Sequence, residues 1–158
     1  MGGVPVRIKH SSGGMSASGL DDAPGIRVLF VYPTYRNMLS PAIGLLAAVL
    51  TQRGHEVRLF DTAYYAATYG HGESMDADVQ KSERLQARPY EMPEELQLKT
   101  TSPFDDLLEQ VDEFEPDLLA MSCTEDMWGL GVQLLRHVRE RREILTIVGG
   151  GFPTFGTR

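Results

Sequence analysis

The stretch RVLFVYPTYRNMLSPAIGLLAAVLTQRGHEVRLFD, residues 27–61, decides the fold of this chain. Residues 28–32 form a short apolar run without polar alternation, which is typical of a strand covered on both faces in a parallel sheet. Apolar residues then recur at helical spacing over residues 41–53, and a second strand is expected at residues 57–60. A strand, a helix and a strand in this order predict a right-handed βαβ unit.

The helix of this unit carries signals at both ends. Ser40 can accept a hydrogen bond from the first free amides, Pro41 needs no N–H partner, and Gly54 can take the left-handed conformation that ends a helix. Four apolar residues share one helical face, which we expect to pack on the sheet: Ile43, Leu46, Ala47 and Leu50. Parallel sheets bind ligands beyond the carboxyl ends of their strands, so residues 33–39 are expected to line a site.

Length and composition narrow the class of protein. The chain has 158 residues, which suits one domain with a sizeable core, and no apolar run approaches the length that spans a bilayer. With 15 basic and 22 acidic residues the formal charge is −7, and no Lys/Arg cluster stands out, which argues against nucleic acid as a partner. The single cysteine, Cys123, cannot form an internal disulfide, so a reducing, cytoplasmic setting without membrane attachment is expected.

Around this unit the chain divides into a tail, an insert and two further helix–strand pairs. Residues 1–24 are rich in Gly and Ser and are expected to be a flexible tail, with one domain over residues 25–158. Residues 62–101 form a polar insert, expected either to pack as a lid or partner surface or to move freely, with a short helix over 78–86. The other expected elements are a helix that is capped by Ser102, begins at Pro103 and is stopped by Pro116, a strand at 117–122, a helix at about 128–140 and a strand at 144–148.

Both later helices have a clear apolar stripe. The first is expected to bury Phe104, Leu107, Leu108, Val111 and Phe114. The second is expected to bury Leu130, Leu134, Leu135 and Val138 and to expose Arg136, Arg139, Arg141 and Arg142. The alternation of strands and helices predicts an α/β fold, a Rossmann-like (flavodoxin-like), doubly wound parallel sheet of about four to five strands with helices on both faces.

Three loops of this fold are expected to meet at one edge of the sheet. Residues 32–39, 122–128 and 149–154 follow the first, third and fourth strands, and the carboxyl ends of parallel strands share an edge. The glycines at 149–151 can let a backbone approach a ligand closely, or they can form only a tight turn. Ser122 and Thr124 add hydroxyls where a helix begins and where free amides favour an anion, although Ser122 can equally be a strand-end cap.

Four motifs stand out in these segments. They are VLFVYP at residues 28–33, P-x-x-GLLAAVL-x-x-RGHEVRLFD at 41–61, EPDLLAMSCTED at 115–126 and VGGGFPT at 148–154. Together they resemble the cobalamin-binding domain at the N-terminus of cobalamin-dependent radical SAM enzymes. The resemblance implies that the loops hold a corrin ring and that its nucleotide tail inserts along the sheet, near Ser122 and the paired glycines that follow the fourth strand.

The resemblance implies cobalamin contacts from all three loops. They are expected at Pro33, Thr34, Tyr35, Arg36, Asn37, Met38, Ser122, Thr124, Glu125, Asp126, Gly149, Gly150, Gly151, Phe152 and Pro153. Cobalamin domains of the methionine-synthase type carry Asp-x-His-x-x-Gly after the first strand, but residues 32–38, YPTYRNM, contain no histidine. The resemblance therefore implies base-off, histidine-off cobalamin. Its lower face would be covered by water or by one of the side chains at 35–38, unless these only pack in the loop or lie at the surface.

In relatives the cobalt carries a methyl group taken from S-adenosylmethionine, and a second domain with a 4Fe–4S cluster makes the substrate radical that accepts it. That domain needs a CxxxCxxC motif, whereas this chain has one cysteine. The expectation is therefore a fragment without catalytic activity of its own, whose radical SAM partner domain in cis is absent. The flank of residues 144–148 would then be unpaired, which favours either association, as in a homo-oligomer, or poor stability.

Two other functions stay open. The N-terminal half of a two-Rossmann nucleotide-sugar glycosyltransferase has a similar P…GLA..L..RGHEV helix, although the glycine-rich first loop with a histidine is missing here. A stand-alone corrinoid carrier or sensor module also fits the pattern. A receiver domain would need a phosphorylatable Asp at the end of the third strand, where Ser122 and Cys123 stand.

Other reactive side chains carry a weaker signal. His55 lies in a tight turn and is expected to be structural, whereas His137 lies beside an arginine in a helix and is expected to be solvated. His71, in the insert, is the histidine free to reach a ligand, as a distal axial group. Cys123 is expected to be a small buried residue rather than a nucleophile, and Trp128 to belong to the core or to flank the ligand.

Overall fold

The computed structural model describes residues 24–35, 40–68 and 98–156, and within them the expected α/β fold is confirmed. The elements in chain order are β1 Arg27–Tyr32, α1 Pro41–Gln52, β2 Glu56–Asp61, α2 Pro103–Phe114, β3 Leu118–Ser122, α3 Glu125–Arg139, β4 Leu145–Gly149 and α4 Gly151–Phe155. The four strands are parallel and lie in the order β2-β1-β3-β4. The tail up to residue 23, the side chains at 36–38, His71 and the expected helix at 78–86 lie outside the described residues.

Helices cover both faces of this sheet. In the sheet order β2-β1-β3-β4, the step from β1 to β2 goes toward one edge, whereas the steps from β2 to β3 and from β3 to β4 go toward the other edge. Because parallel crossovers are right-handed, α1 lies on one face of the sheet, and α2 and α3 lie on the other. The guanidinium of Arg58, in β2, lies 4.6 Å from the centre of the Phe114 ring in α2. A Cβ atom added at Gly131 of α3 would lie 2.4 Å from Sδ of Met121 in β3, which brings α3 into close contact with the same face.

The main core lies between the sheet and the helices α2 and α3. The two central strands are nearly inaccessible on this face, where Leu29, Val31, Leu119 and Met121 are at most 2% exposed. Helix α2 buries Leu107, Val111 and Phe114, and α3 buries Leu130, Leu134, Leu135 and Val138. The expected apolar stripes are thus confirmed, with Phe104 and Leu108 only partly buried, and Arg136, Arg139, Arg141 and Arg142 exposed.

Helix α1 covers its face of the sheet less completely than its sequence suggests. Ile43 is 2% exposed, and Ala47 and Leu50 pack partly against the core. Leu46, however, is 50% exposed, so its expected burial is wrong. Leu45, at 68%, is also exposed, which leaves an apolar outer surface on this helix.

The expected helix caps are confirmed in part. Ser102 Oγ accepts a hydrogen bond from Asp105 N at 3.4 Å, and Gly54 has the left-handed φ of +83° that was expected after α1. Ser40 is the N-cap residue of α1, but its side chain makes no capping hydrogen bond; its carbonyl accepts from Gly44 N at 3.2 Å. No helix in residues 24–35, 40–68 and 98–156 has the length and apolar character needed to cross a membrane.

The insert is fastened where it leaves and where it returns. Lys99 N donates to Tyr64 O at 2.7 Å, and Ala66 N donates to Lys99 O at 2.8 Å, which makes a parallel bridge between the two ends. The Tyr65 phenol is 1% exposed and donates to Asp106 Oδ2 in α2 at 2.8 Å. Residues 64–66 and Lys99, which flank positions 69–97 in the sequence, therefore lie together against the start of α2.

Candidate functional site

The carboxyl ends of β1, β3 and β4 lie side by side at one edge of the sheet, as the topology predicts. Val31 is the register partner of Met121, which is also the partner of Val148. Ser122 pairs with Gly149 at the end of the next strand. The three segments that follow these strands therefore start within one small area of the surface.

The loop after β1 is fixed by a buried threonine pair. Thr34 N donates to Thr62 Oγ1 at 2.8 Å, and the same hydroxyl donates to Thr34 O at 2.7 Å. Pro33 and Thr34 were expected to contact the ligand, but both are less than 2% exposed. These two residues therefore hold the start of the loop on the end of β2.

Among the described residues of this loop, Tyr35 reaches an open surface. It is half-buried and lines an open cleft of about 380 Å³ together with Thr68, Phe104 and Leu130. The cleft thus lies between the loop after β1, the base of the insert and the first turns of α2 and α3. The other three candidates for the lower face of a corrin, Arg36, Asn37 and Met38, lie outside the described residues.

The glycine segment forms a turn that only glycine can make at its centre. Gly150 has φ +107° and ψ −173°, and a Cβ atom there would lie 2.4 Å from Cys123 O. Cys123 N donates to Gly149 O at 3.1 Å, which fixes the turn to the end of β3. At Gly149 and Gly151, by contrast, an added Cβ would meet no described atom within 4 Å, so the turn exposes bare backbone on both sides of its centre.

The expected loop at 149–154 and the expected start of the preceding helix are both corrected. After the turn at Gly150 the chain forms α4, and Thr154 Oγ1 donates to Gly150 O at 2.8 Å within it. Helix α3 begins at Glu125 rather than near residue 128, so residues 125–128 of the expected loop at 122–128 are helical. Glycine and proline disfavour helices, which is why the sequence concealed α4.

A second open cleft, of about 460 Å³, lies between the start of α3 and α4. It is lined by Thr124, Glu125, Gly151, Phe152, Phe155 and Gly156. The Trp128 ring supports the wall, with its centre 5.2 Å from that of Phe152. Phe155 was missed from the sequence although it is 83% exposed; the signal was a second aromatic residue three positions after the first. Pro153 is half-buried in the same short helix.

The charge at the start of α3 disfavours an anion. Thr124 Oγ1 donates to the carboxylate of Asp126 and does not cap the helix. Glu125 and Asp126 both stand in the first turn, where their negative charges already match the helix dipole. A phosphate here would meet two carboxylates at short range, so the expected attraction of this helix start for an anion is offset.

Cys123 is buried beneath the glycine turn, as expected. Its side chain is 2% exposed, and burial together with the nearby Asp126 carboxylate raises the pKa of the thiol. The protonated thiol is a poor nucleophile. Its structural role is to present backbone atoms to Gly149 and Gly150.

The two described histidines both have structural surroundings. His55 Nδ1 accepts from Ile26 N at 3.1 Å at the opposite edge of the sheet, as expected for a structural residue. The expectation that His137 is solvated is wrong, since its side chain is 21% exposed. Phe104 of α2 lies 5.6 Å from it between ring centres, and Asp105 Oδ1 lies 3.7 Å from its Nε2. The packing of α2 against α3 covers this histidine.

No protein-family model and no curated protein sequence matches this chain. Within residues 24–35, 40–68 and 98–156, no group of three or more His, Cys, Asp or Glu side chains is placed to hold a metal ion. The features that bear on function are the carboxyl edge of the sheet and the motifs that lie on it.

Proposed function

We propose that this chain binds cobalamin at the carboxyl edge of its sheet, as the cofactor domain of a radical SAM methyltransferase. The observation that carries this proposal is the contact of Gly150 with the Cys123 backbone, which holds the glycine turn beside the end of β3. Ser122 and Gly149 are partners there. The two motifs by which the sequence resembles cobalamin domains, SCT and GGG, are therefore neighbours in space as well as in pattern.

On the face of the sheet that carries α1, small residues lie next to this turn. Thr146 and Val148 line a cleft with α3, so the alternate residues of β4, including Gly149, point to the opposite face. Ala120 and Ser122 of β3 lie on that face too, because they pair with Ile147 and Gly149. Ala120, Ser122 and Gly149 are all small, which suits a nucleotide base. The serine hydroxyl can form a hydrogen bond with polar atoms of that base.

The residues present fit cobalamin without a protein ligand to the metal, because the corrin ring already chelates cobalt. In this proposal Ser122 binds the nucleotide base, the backbone at Gly149 and Gly151 approaches the tail, and Tyr35 and Phe155 contact the ring. When bound, cobalamin would supply a cobalt centre that carries a methyl group. S-adenosylmethionine and a 4Fe–4S cluster belong, in the same proposal, to a separate catalytic domain in cis.

The charge of the edge favours cobalamin over a nucleotide sugar. The diphosphate of a nucleotide sugar would bring two negative charges close to Glu125 and Asp126. The negative charge of the single phosphodiester of cobalamin is balanced by the positive cobalt–corrin core. The large apolar surface of the corrin suits the cleft lined by Phe152 and Phe155. A glycosyltransferase half is therefore the weaker of the two readings.

The test is a titration of the purified chain with hydroxocobalamin, followed by desalting and an absorption spectrum of the retained complex. The expected result is a retained, base-off spectrum. Cobinamide, which lacks the nucleotide tail, should bind about tenfold more weakly or worse, which corresponds to about 1.4 kcal/mol. The same loss is expected for Gly149→Val and for Ser122→Leu, which fill the face beside the turn.

Ala48→Leu is the matched control, because it adds bulk at an exposed position of α1 away from the turn. It should bind cobalamin as the parent chain does. Failure of a chain with native circular dichroism to retain cobalamin would refute the proposal, as would equal binding by Gly149→Val. Retention of a nucleotide sugar instead would support the glycosyltransferase reading.

A further inference from the structure

Among the described residues, no strand pairs with the outer edge of β4, and the strand has exposed apolar side chains. Leu145 and Ile147 of this strand are 72% and 56% exposed, and its sequence, LTIVG, contains no charge. The strand at the other edge, β2, carries Glu56, Arg58 and Asp61. Charged side chains are a common device against pairing between sheet edges, so β2 is protected and β4 is not.

The backbone of β4 presents hydrogen-bonding groups on this open side. Gly149 O accepts from Cys123 N, so the backbone groups of Gly149 point toward β3. Because residues alternate along a strand, Ile147 also turns its backbone groups to β3, whereas Thr146 and Val148 turn their N–H and C=O groups outward. The open edge thus offers two donors and two acceptors at alternate residues, ready for another strand.

One side of helix α3 flanks the same edge and is charged oppositely at its two ends. Glu125, Val132, Arg136 and Arg139 are spaced by 7, 4 and 3 residues, which places them on one side of the helix. Val132, Arg136 and Arg139 border an open cleft of about 420 Å³ with Thr146 and Val148 of β4. The stripe is therefore acidic at its start, apolar in its middle and basic at its end.

We propose that two copies of this chain associate through β4 in an antiparallel, twofold-symmetric arrangement that forms one eight-stranded sheet. With the axis at Ile147, Thr146 of each copy is opposite Val148 of the other, and these residues exchange four backbone hydrogen bonds. The Ile147 side chains meet on the axis. The antiparallel α3 helices then bring Glu125 of each copy toward Arg136 and Arg139 of the other.

A second copy fits this edge better than an unrelated strand, because the edge is complementary to itself. When two α3 helices lie antiparallel, the acidic start of each lies beside the basic end of the other. Because β4 has no charged residue, two copies of it can pair without repulsion. A twofold interface of this kind is closed, since each copy uses its only unprotected edge strand among those described, and growth stops at two. This inference does not depend on the ligand proposed above.

The test is the mass of the 158-residue chain by analytical ultracentrifugation over a wide range of concentration, with twice the 17.5 kDa of one chain expected. Glu125→Arg should weaken the dimer about tenfold or more, and so should Arg136→Glu combined with Arg139→Glu. All three substitutions together should restore it. Arg53→Glu, an exposed charge reversal at the end of α1, is the control and should leave the mass unchanged.

Ile147→Cys provides a second measurement of the same geometry. Under mild oxidation the variant should form a disulfide-linked dimer, because Ile147 faces its own copy across the axis, while the parent chain with its buried Cys123 should not. A chain that is monomeric at every concentration would overturn the proposal. A dimer that the triple charge exchange fails to restore would overturn the antiparallel arrangement.

Discussion

The replacement Gly150→Ala should be among the most destabilising single changes in the described part of the chain. Two separate penalties apply at this position. The backbone there has φ +107° and ψ −173°, a region that side-chain-bearing residues adopt at a cost of about 1–3 kcal/mol. The added Cβ would also lie 2.4 Å from Cys123 O and 2.9 Å from Cys123 N, which are backbone atoms of the core edge and cannot swing aside.

Relief of that overlap requires the glycine turn to move away from β3, which breaks the hydrogen bond from Cys123 N to Gly149 O. Overpacking of this kind costs about 1–3 kcal/mol. The expected loss in the free energy of unfolding is therefore roughly 2–6 kcal/mol, a large part of the 5–15 kcal/mol that holds a typical domain folded. Gly44→Ala is the matched control, because its Cβ meets nothing within 4 Å in an exposed turn of α1. It should gain about 0.5–1 kcal/mol.

The assay is urea unfolding followed by circular dichroism, with the midpoint and the slope measured for both variants. A constant slope with a lower midpoint for Gly150→Ala is the expected outcome. A loss below about 1 kcal/mol in the free energy of unfolding would refute the reasoning, because the strained φ and the overlap with the Cys123 backbone should together cost more than that. A gain equal to that of Gly44→Ala would show that the turn does not have the described conformation.

Three further predictions concern stability. Thr62→Val leaves the buried amide and carbonyl of the loop after β1 without their shared hydroxyl partner, and should cost about 2–4 kcal/mol in urea unfolding, whereas Thr62→Ser should cost about 1 kcal/mol or less. Burial raises the pKa of Tyr65, so the folded chain keeps a proton that the unfolded chain loses. The free energy of unfolding should therefore be retained below about pH 10 and fall as the pH rises further, and Tyr65→Phe should flatten that fall in unfolding curves recorded up to about pH 11. Leu134→Ala, in the core at 0% exposure, should lose about 2–5 kcal/mol of thermal or chemical stability, while Leu45→Ala, at 68% exposure, should change it by about 0.5 kcal/mol or less.

The features that the sequence predicted well depend on residues close together in the chain. The strands and the helices α2 and α3 follow from local spacing, because a buried stripe at period 3.6 or a short apolar run is decided within about a dozen residues. The buried face of helix α1 could not be predicted in this way, although the helix itself was predicted correctly. Its run GLLAAVL is apolar all round, so periodicity could not tell that Leu46 would be exposed while Ile43 was covered.

The parts of the site that the sequence could not predict depend on contacts between distant segments. Thr34 looked like a ligand contact because it follows a strand, but its partner Thr62 is 28 positions away. His137 looked solvated because of its helix neighbours, but Phe104 from another helix covers it. The glycine turn was expected to be either a ligand loop or a tight turn, and only its contact with Cys123 explains why its central residue must be glycine.

The backbone hydrogen bonds of Lys99 with Tyr64 and Ala66 affect which parts of this domain can change in sequence and length. Since the described residues on either side of positions 69–97 are joined to each other and, through Tyr65, to α2, a change in the number of residues between them is expected to alter mainly the entropy of closing this connection. That entropy grows slowly, by about 0.6 kcal/mol for each doubling of length. A change in the length or sequence of this segment is therefore expected to require no change in the residues of the sheet. Of the connections between the described elements, this is the one where a new recognition surface could be acquired at the least risk to folding.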